Sequence, residues 1–210
     1  MSAAAKPNFD APATKVLRPS TLAHVVLRTA NLKNMVDFYT SFLGGTVTYG
    51  NNAVTFITYD EEHHRIALLG IPGTEPKNPR TCGLEHIAFS FKSLNDLLQA
   101  YRHRKEQGIK PVWCVNHGPT TSIYYKDLDG NMIETQVDNF DSVEEATNFM
   151  MSDKFADNPI GTDFDAEEMI LALQAGAEES TLKTRIEIGP RPMPDLASMC
   201  APPLEDCGRS

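Results

Sequence analysis

The sequence has no excess of basic residues and no long apolar run. Its 210 residues include 19 lysines and arginines against 28 aspartates and glutamates, which gives a net charge of −9. Nucleic acids and anionic membranes require a basic surface, so neither is expected as a partner. No apolar run approaches the roughly 18 residues that cross a bilayer, and residues 1–20 lack the apolar core of a signal peptide. We therefore expect a soluble cytoplasmic protein.

Cysteine pairs with metal-binding or redox spacing are also missing. The chain has four cysteines, and no two of them form a C-x-x-C pair. This spacing excludes a zinc ribbon and a thioredoxin-type site, and a disulfide framework is not expected at this length. Any metal site must then be built from histidines and carboxylates.

An internal repeat with a constant offset of 62 residues organises the middle of the chain. It aligns His24 with His86 and Asn31 with Ser93. In each half, a short β-rich run around the histidine precedes a helix whose N-cap candidate is Asn31 or Ser93. Apolar residues three and four apart define each helix, and a glycine follows it as a C-cap would. The apolar positions are Leu32, Met35, Val36 and Tyr39 in one half, and Leu94, Leu97, Leu98 and Tyr101 in the other.

About three strand candidates follow each helix, so each half is predicted to fold as a βαβββ module. The modules span residues 21–70 and 83–140, and a linker rich in proline and glycine joins them. A half of about 60 residues cannot easily close its own sheet, so the two halves should pair. We predict an α+β fold with an arm at 1–20, a paired-module domain at 21–140, a helical extension at 141–188 and a flexible tail at 189–210.

Two histidines and one glutamate are the strongest metal-ligand candidates. His24 and His86 occupy equivalent positions on the first strands of the two modules, and pairing the modules should bring them together. Glu134 lies within an apolar run on the last strand of the second module, where an unpaired carboxylate would be costly. Two imidazoles and one carboxylate with open positions form the facial triad of non-haem Fe(II) oxygenases.

These residues and their order resemble the vicinal oxygen chelate superfamily, and within it the type I extradiol ring-cleaving dioxygenases. The run His63-His64-Arg65-Ile66-Ala67 is similar to their HH-x-hydrophobic-A motif. His117 and Tyr124 precede Glu134 in their order, and Tyr124 lies ten residues before the glutamate. The D-x-D-G-N turn at 127–131 also matches. The resemblance covers about residues 20–140.

The resemblance implies a glyoxalase-like sheet and a role for each of these residues. His24, His86 and Glu134 would bind Fe(II), His64 would be the acid/base group near O₂, and His117 and Tyr124 would contact the substrate. The implied substrates are a catechol-like aromatic diol and O₂. A pKa near 6.5 suits histidine to proton transfer at neutral pH, and a tyrosine can donate to a developing oxyanion.

Three alternatives remain open. A glyoxalase-like isomerase of this fold normally uses a fourth protein ligand from the first module, where the run 66–69 is apolar. A metal-free binding protein and a biosynthetic enzyme on the same scaffold are the other two. Type I extradiol dioxygenases usually have two module pairs and this chain has one, so a pocket wall could come from the C-terminal segment or from a second subunit. A homodimer is therefore a further expectation.

Overall fold

In the computed structural model, the described residues are 12, 14–195 and 199. The other residues of the predicted arm and tail, 1–11, 13, 196–198 and 200–210, lie outside the described part. The strands are β1 (Val25–Thr29), β2 (Thr46–Gly50), β3 (Val54–Thr58), β4 (Ile66–Gly70), β5 (His86–Ser90), β6 (Trp113–Asn116), β7 (Thr120–Lys126), β8 (Met132–Asp138) and β9 (Thr162–Asp163). The helices are α1 (Leu32–Leu43), α2 (Leu94–Glu106), α3 (Val143–Met150), α4 (Asp153–Asp157), α5 (Ala166–Gln174) and α6 (Glu179–Lys183).

The two halves fold into sheets with the same strand order. The first sheet has the order β1-β4-β3-β2, and the second has the order β5-β8-β7-β6 with β9 added at its outer edge. In both, the first strand is parallel to the last strand of its module, and the other pairings within the module are antiparallel. The predicted α+β fold with two βαβββ modules is confirmed.

Local sequence signals explain where the two long helices begin and end. The side chain of Asn31 accepts a hydrogen bond from the backbone of Asn34, and the side chain of Ser93 does the same for Asp96. Both predicted N-caps are therefore confirmed. Helix α1 ends at Gly44, whose φ of 61° is left-handed and favours glycine.

One apolar core joins the helix-facing sides of the two sheets. Within each strand, side chains alternate between this core and the opposite face. The core receives buried side chains from both modules and from α5 (Leu27, Ile57, Ile66, Leu68, Ile87, Ile123, Ile133, Val137 and Ile170). His24, His86 and Glu134 alternate with core residues, so they belong to the opposite faces, which we call the ligand faces.

Polar contacts also tie the modules together. The Tyr39 hydroxyl donates to Oδ2 of Asp127 at 2.9 Å, and both residues are buried. Asp127 opens the D-x-D-G-N turn and accepts further hydrogen bonds from the backbone of Asp129 and Asn131. The Arg104 guanidinium donates to the carbonyl of Phe42 at 2.9 Å. The Tyr39–Asp127 and Arg104–Phe42 contacts link residues 88 and 62 positions apart in the chain.

The segment after β8 packs against the second module. Both Glu179 carboxylate oxygens accept hydrogen bonds from the first backbone N–H groups of α2, and Glu167 accepts from the hydroxyl of Tyr101. The Asp165 side chain caps α5 by accepting hydrogen bonds from the backbone of Glu167 and Glu168. Helix α3 begins with a reciprocal capping box between Ser142 and Glu145. Within the described residues, no helix is long and apolar enough to cross a membrane.

Candidate active site

The ligand face of the second sheet carries a histidine–carboxylate pair whose carboxylate is buried. Nε2 of His86 lies 3.1 Å from Oε2 of Glu134, and Glu134 is only 5% exposed. The hydrogen bond to Glu134 raises the pKa of His86. Burial raises the pKa of Glu134, but hydrogen bonds with His86 and Ser122 outweigh it and leave that pKa below its usual value. The pair is therefore a half-buried imidazole beside an ionised carboxylate.

Tyr124 adjoins this pair because the sheet register puts it there. It is the cross-strand partner of Glu134, and the two side chains share the ligand face. The Tyr124 hydroxyl lies 2.9 Å from Nε2 of His117, a residue in the turn between β6 and β7. Burial, followed by the charge of Glu134, raises the pKa of Tyr124, so the phenol keeps its proton at neutral pH.

A backbone carbonyl fixes the protonation of His117. Nδ1 of His117 is hydrogen-bonded to the carbonyl oxygen of Ile160. A carbonyl can only accept, so Nδ1 carries the proton and donates it. In the neutral ring Nε2 is then the acceptor for the Tyr124 hydroxyl. Burial lowers the pKa of His117, which keeps the ring neutral at pH 7.

Residues from the C-terminal segment line a cavity beside these groups. Pro159, Ile160, Met193 and Pro194 face His86, His117, Tyr124 and Trp113 across it. The Trp113 ring stacks on the Tyr124 ring at 5.2 Å between centroids, and its Nε1 donates to Asp163 at 2.7 Å. The cavity therefore combines an apolar lining with the imidazoles of His86 and His117 and the phenol of Tyr124.

Buried Arg185 holds this segment in place. Its guanidinium donates to the carbonyls of His117, Asn158 and Lys154 at 2.7–3.0 Å. The same side chain pairs with Glu187 at 2.8 Å. These bonds connect Arg185 to His117, the residue whose ring contacts Tyr124.

The remaining predicted residues lie together on the first sheet. The His24 ring lies 4.4 Å from the His64 ring, between centroids. On its other side, His64 stacks on Phe56 at 4.5 Å with an interplanar angle of 14°. His63 Nδ1 is hydrogen-bonded to Nδ1 of His64. Burial, then the neighbouring imidazoles of His24 and His63, lower the pKa of His64.

The predicted convergence of His24 with His86 and Glu134 is not found in the single chain. No three His, Cys, Asp or Glu side chains among residues 14–195 are grouped so that they could hold a metal ion. The second sheet brings together His86 and Glu134, while His24 lies with His64 on the first sheet. The described part of one chain therefore does not bring together the two-histidine, one-carboxylate set that a facial triad requires.

A family comparison agrees with the two-module architecture. Residues 21–135 match the model of the Glyoxalase/Bleomycin resistance protein/Dioxygenase superfamily. The chain belongs to this superfamily.

Two curated members of the superfamily from Rhodococcus globerulus are similar over most of their length. The first, biphenyl-2,3-diol 1,2-dioxygenase 2, is 45% identical over 163 residues, which cover 77% of this chain and 86% of the relative. The second, biphenyl-2,3-diol 1,2-dioxygenase 3, is 46% identical over 166 residues, or 78% and 87% of the two chains. A solved glyoxylase/bleomycin resistance protein/dioxygenase domain from Frankia sp. EAN1pec is 18% identical, covers 58% of this chain and 93% of that chain, and has a TM-score of 0.49.

Sequence reasoning missed several residues of the site in this superfamily member. The cavity residues 159–160 and 193–194 lie outside the range that the family model matches, and no periodicity marks them. Trp113 had a usable signal, because it is the chain's single tryptophan and lies directly across from Tyr124 in the predicted hairpin. The contribution of the Ile160 carbonyl had no signal in the sequence, because every residue has a backbone carbonyl.

Proposed function

We propose that this protein is an extradiol dioxygenase that opens the ring of a catechol-like aromatic diol with O₂ and depends on Fe(II). The identity of 45% with biphenyl-2,3-diol 1,2-dioxygenase 2, over 86% of that relative, carries the proposal. Biphenyl-2,3-diol is accordingly the first substrate to test. The neighbouring positions of Glu134, Tyr124 and His117 support the proposal independently, because an extradiol site needs a carboxylate ligand and proton-transferring groups close together.

His24, His86 and Glu134 are the proposed Fe(II) ligands. Neutral imidazoles and a carboxylate suit Fe(II), and bound iron would supply the electron transfer between diol and O₂ that side chains cannot provide. The pairing of His86 with buried, ionised Glu134 is consistent with two of these assignments. His24 lies apart from this pair in the single chain, against His64.

His117 and Tyr124 form a proton path that opens into the cavity. Because Nδ1 of His117 donates to Ile160, its Nε2 is free to accept a proton that leaves the Tyr124 hydroxyl. A hydroxyl of the diol then donates its proton to the Tyr124 oxygen, which restores the phenol. When negative charge develops again on the substrate oxygen, Tyr124 donates a proton to it and His117 returns its proton to Tyr124.

His64 is the proposed second acid/base group. Its lowered pKa keeps the imidazole neutral at pH 7, so it begins the reaction as a proton acceptor. The stacking on Phe56 restricts the ring orientation and shields one face of it. This fits a group that takes one proton and then returns it at a defined position.

The apolar lining of the cavity favours an aromatic substrate. Trp113, Met132, Ile160 and Met193 surround the polar groups. A ring that places its two hydroxyls towards His86 and Tyr124 would leave its apolar edge against these side chains. Burial of that edge contributes roughly 25 cal/mol per Å².

Anaerobic reconstitution with Fe(II), followed by addition of biphenyl-2,3-diol in aerated buffer, tests the proposal. We expect oxygen uptake together with a yellow ring-opened product. His64→Ala and Tyr124→Phe should lose most turnover while retaining bound iron. Iron-loaded protein that consumes no oxygen with any catechol would refute the assignment, and activity restored only by Zn²⁺ or Ni²⁺ would favour the isomerase alternative.

A further inference from the structure

The cavity beside Tyr124 is small for a substituted aromatic substrate. Its volume is about 150 Å³, which is close to that of an apolar protein cavity that holds one benzene molecule. One ring of a diol, placed with its hydroxyls towards His86 and Tyr124, therefore fills it. A substituent on that ring must extend out of the cavity and over the residues at its mouth.

Met193 is the large apolar side chain at this mouth. Three of the lining residues are exposed, namely Glu85, Pro159 and Met193, and they mark where the cavity opens. Met193 is 68% exposed, so most of its side chain lies beyond the space that a single ring fills. A thioether side chain is flexible and makes favourable contacts with aromatic rings. Met193 is therefore suited to contact an apolar group that leaves the cavity.

We propose that residues 191–194, which we call the wall segment, select the substrate. Met193 contacts an apolar substituent on the diol ring, and Arg191 is the positioning residue that holds Met193 at the cavity. The inference rests on the proposed function. It adds the class of substrate, a diol whose ring carries an aryl or similarly bulky apolar group, and it assigns the selection to residues outside the range 21–135 that the superfamily model matches.

Arg191 fixes the wall segment through a bidentate ion pair. Its two terminal nitrogens donate to the two carboxylate oxygens of Asp163 at 2.8 Å each. One of these nitrogens also donates to the carbonyl of Gly161 at 3.2 Å. A bidentate pair sets the orientation of both partners as well as their distance. Met193, two positions after Arg191, is therefore kept beside the cavity.

The same carboxylate also holds another part of the cavity lining. Oδ1 of Asp163 accepts a hydrogen bond from Nε1 of Trp113 at 2.7 Å. The guanidinium carbon of Arg191 lies 5.7 Å from the centre of the Trp113 ring, within the range of a cation–π contact. Because Trp113 stacks on Tyr124, one series of contacts runs from the wall segment to the phenol of the proposed proton path.

A second attachment follows the wall segment in the chain. Met199 packs against a small apolar cluster on the second sheet, made of Val115, Tyr124 and Met132. Met193 therefore lies between two points that bind the chain to the site, the Arg191 ion pair before it and the Met199 contact after it. This arrangement gives a defined position to a side chain that is itself largely exposed.

The first test measures binding without turnover. 2-Phenylphenol carries an aryl group but only one hydroxyl, so it probes the cavity without being a diol, and phenol is its single-ring counterpart. Trp113 is the single tryptophan of the chain and lines the cavity, so its fluorescence reports occupancy of this cavity. We expect Met193→Ala to weaken the binding of 2-phenylphenol roughly tenfold more than the binding of phenol.

The matched control is Met151→Ala. Met151 is 83% exposed and is not among the residues that line the cavity, so its replacement should leave both affinities unchanged. Met193→Leu approximately keeps the side-chain volume and should retain most of the preference for 2-phenylphenol. Together with circular dichroism, this variant separates loss of the contact from loss of folding.

The second test concerns Arg191 and uses turnover of the iron-loaded protein. Arg191→Gln should lower the ratio of kcat/KM for biphenyl-2,3-diol to kcat/KM for catechol by about tenfold, chiefly through the KM of biphenyl-2,3-diol. Arg191→Lys keeps the charge but not the bidentate geometry, so it should restore only part of the ratio. Arg102→Gln removes an ion pair with Glu167 at 3.0 Å and should leave the ratio unchanged. An unchanged ratio in Arg191→Gln would refute the positioning role.

The outcomes distinguish this inference from the proposed function. Loss of the preference for 2-phenylphenol in Met193→Ala, in a protein that opens no diol ring, supports selection by the wall segment and refutes the dioxygenase assignment. An active enzyme in which Met193→Ala binds both probes as the wild type does refutes the wall segment alone. Equal weakening of 2-phenylphenol and phenol in Met193→Ala also refutes it, because Met193 would then act on the ring that every diol has.

Discussion

Replacement of Tyr39 by phenylalanine should weaken the link between the two modules without disturbing the core. The hydroxyl of Tyr39 donates to buried Asp127 at 2.9 Å, and the ring itself is fully buried. A hydrogen bond to a charged acceptor contributes about 1.5–3 kcal/mol. Asp127 keeps its bonds from Asn131 and Asp129, so we expect a loss of about 2 kcal/mol. With a urea m-value of about 2 kcal/mol/M, the unfolding midpoint should fall by roughly 1 M.

The internal repeat offers a matched control at Tyr101. Its hydroxyl also donates to a carboxylate at 3.0 Å, but that acceptor, Glu167, is more exposed and also binds Arg102 and Lys105. Tyr101→Phe should therefore shift the urea midpoint by well under half as much as Tyr39→Phe. Equal shifts for the two variants would refute the claim that burial of Asp127 gives the Tyr39 bond its strength.

Three further predictions concern the C-terminal segment. Arg185→Ala removes the donor from three backbone carbonyls, one of them the carbonyl of buried Asn158, so unfolding should cost about 2 kcal/mol less and limited proteolysis after residue 158 should accelerate. Gly161→Ala should destabilise by about 2 kcal/mol more than Gly176→Ala in urea unfolding; both glycines have positive φ, but only at Gly161 does an added Cβ overlap a backbone carbonyl, that of Asn116. Glu167 has its pKa lowered from 4.5 to about 2 by its hydrogen bond with Lys105. Its stabilising effect is therefore complete above pH 4.5 and disappears towards pH 2, and Glu167→Gln should flatten the pH dependence of the urea midpoint in that window.

The repeat made much of each module predictable. Asn31 and Ser93 are predictable as N-caps because a short polar side chain directly before an apolar helical pattern is typical of that position. The resemblance drew attention to Tyr124 ten residues before Glu134, and in the structure this spacing across the β7–β8 turn makes the two residues cross-strand partners. These are local relations, and the spacing of residues within one module determines them.

The relation between the modules was not accessible in the same way. Equivalent positions of His24 and His86 in a repeat do not reveal how the two sheets are arranged relative to each other, because that arrangement depends on packing between distant surfaces. The C-terminal contribution was also hidden. Ile160 acts through its carbonyl, and Arg185 acts from a stretch with no periodic pattern. Ile160 lies 43 positions from His117, and Arg185 lies 27–68 positions from the carbonyls that it binds, beyond the range of any local signal.

The pairing of β9 with β6 has a consequence for synthesis of the chain. Strand β9, at residues 162–163, pairs with Val115 and Asn116 on the outer edge of β6. Asp163 follows Asn116 by 47 positions in the chain. At about 5–20 residues per second, the ribosome needs roughly 2–9 s to deliver them. During that interval the outer edge of β6 has no strand beside it. Strand β6, which begins at Trp113, is therefore the part of the nascent chain that is most exposed to pairing with an incorrect strand.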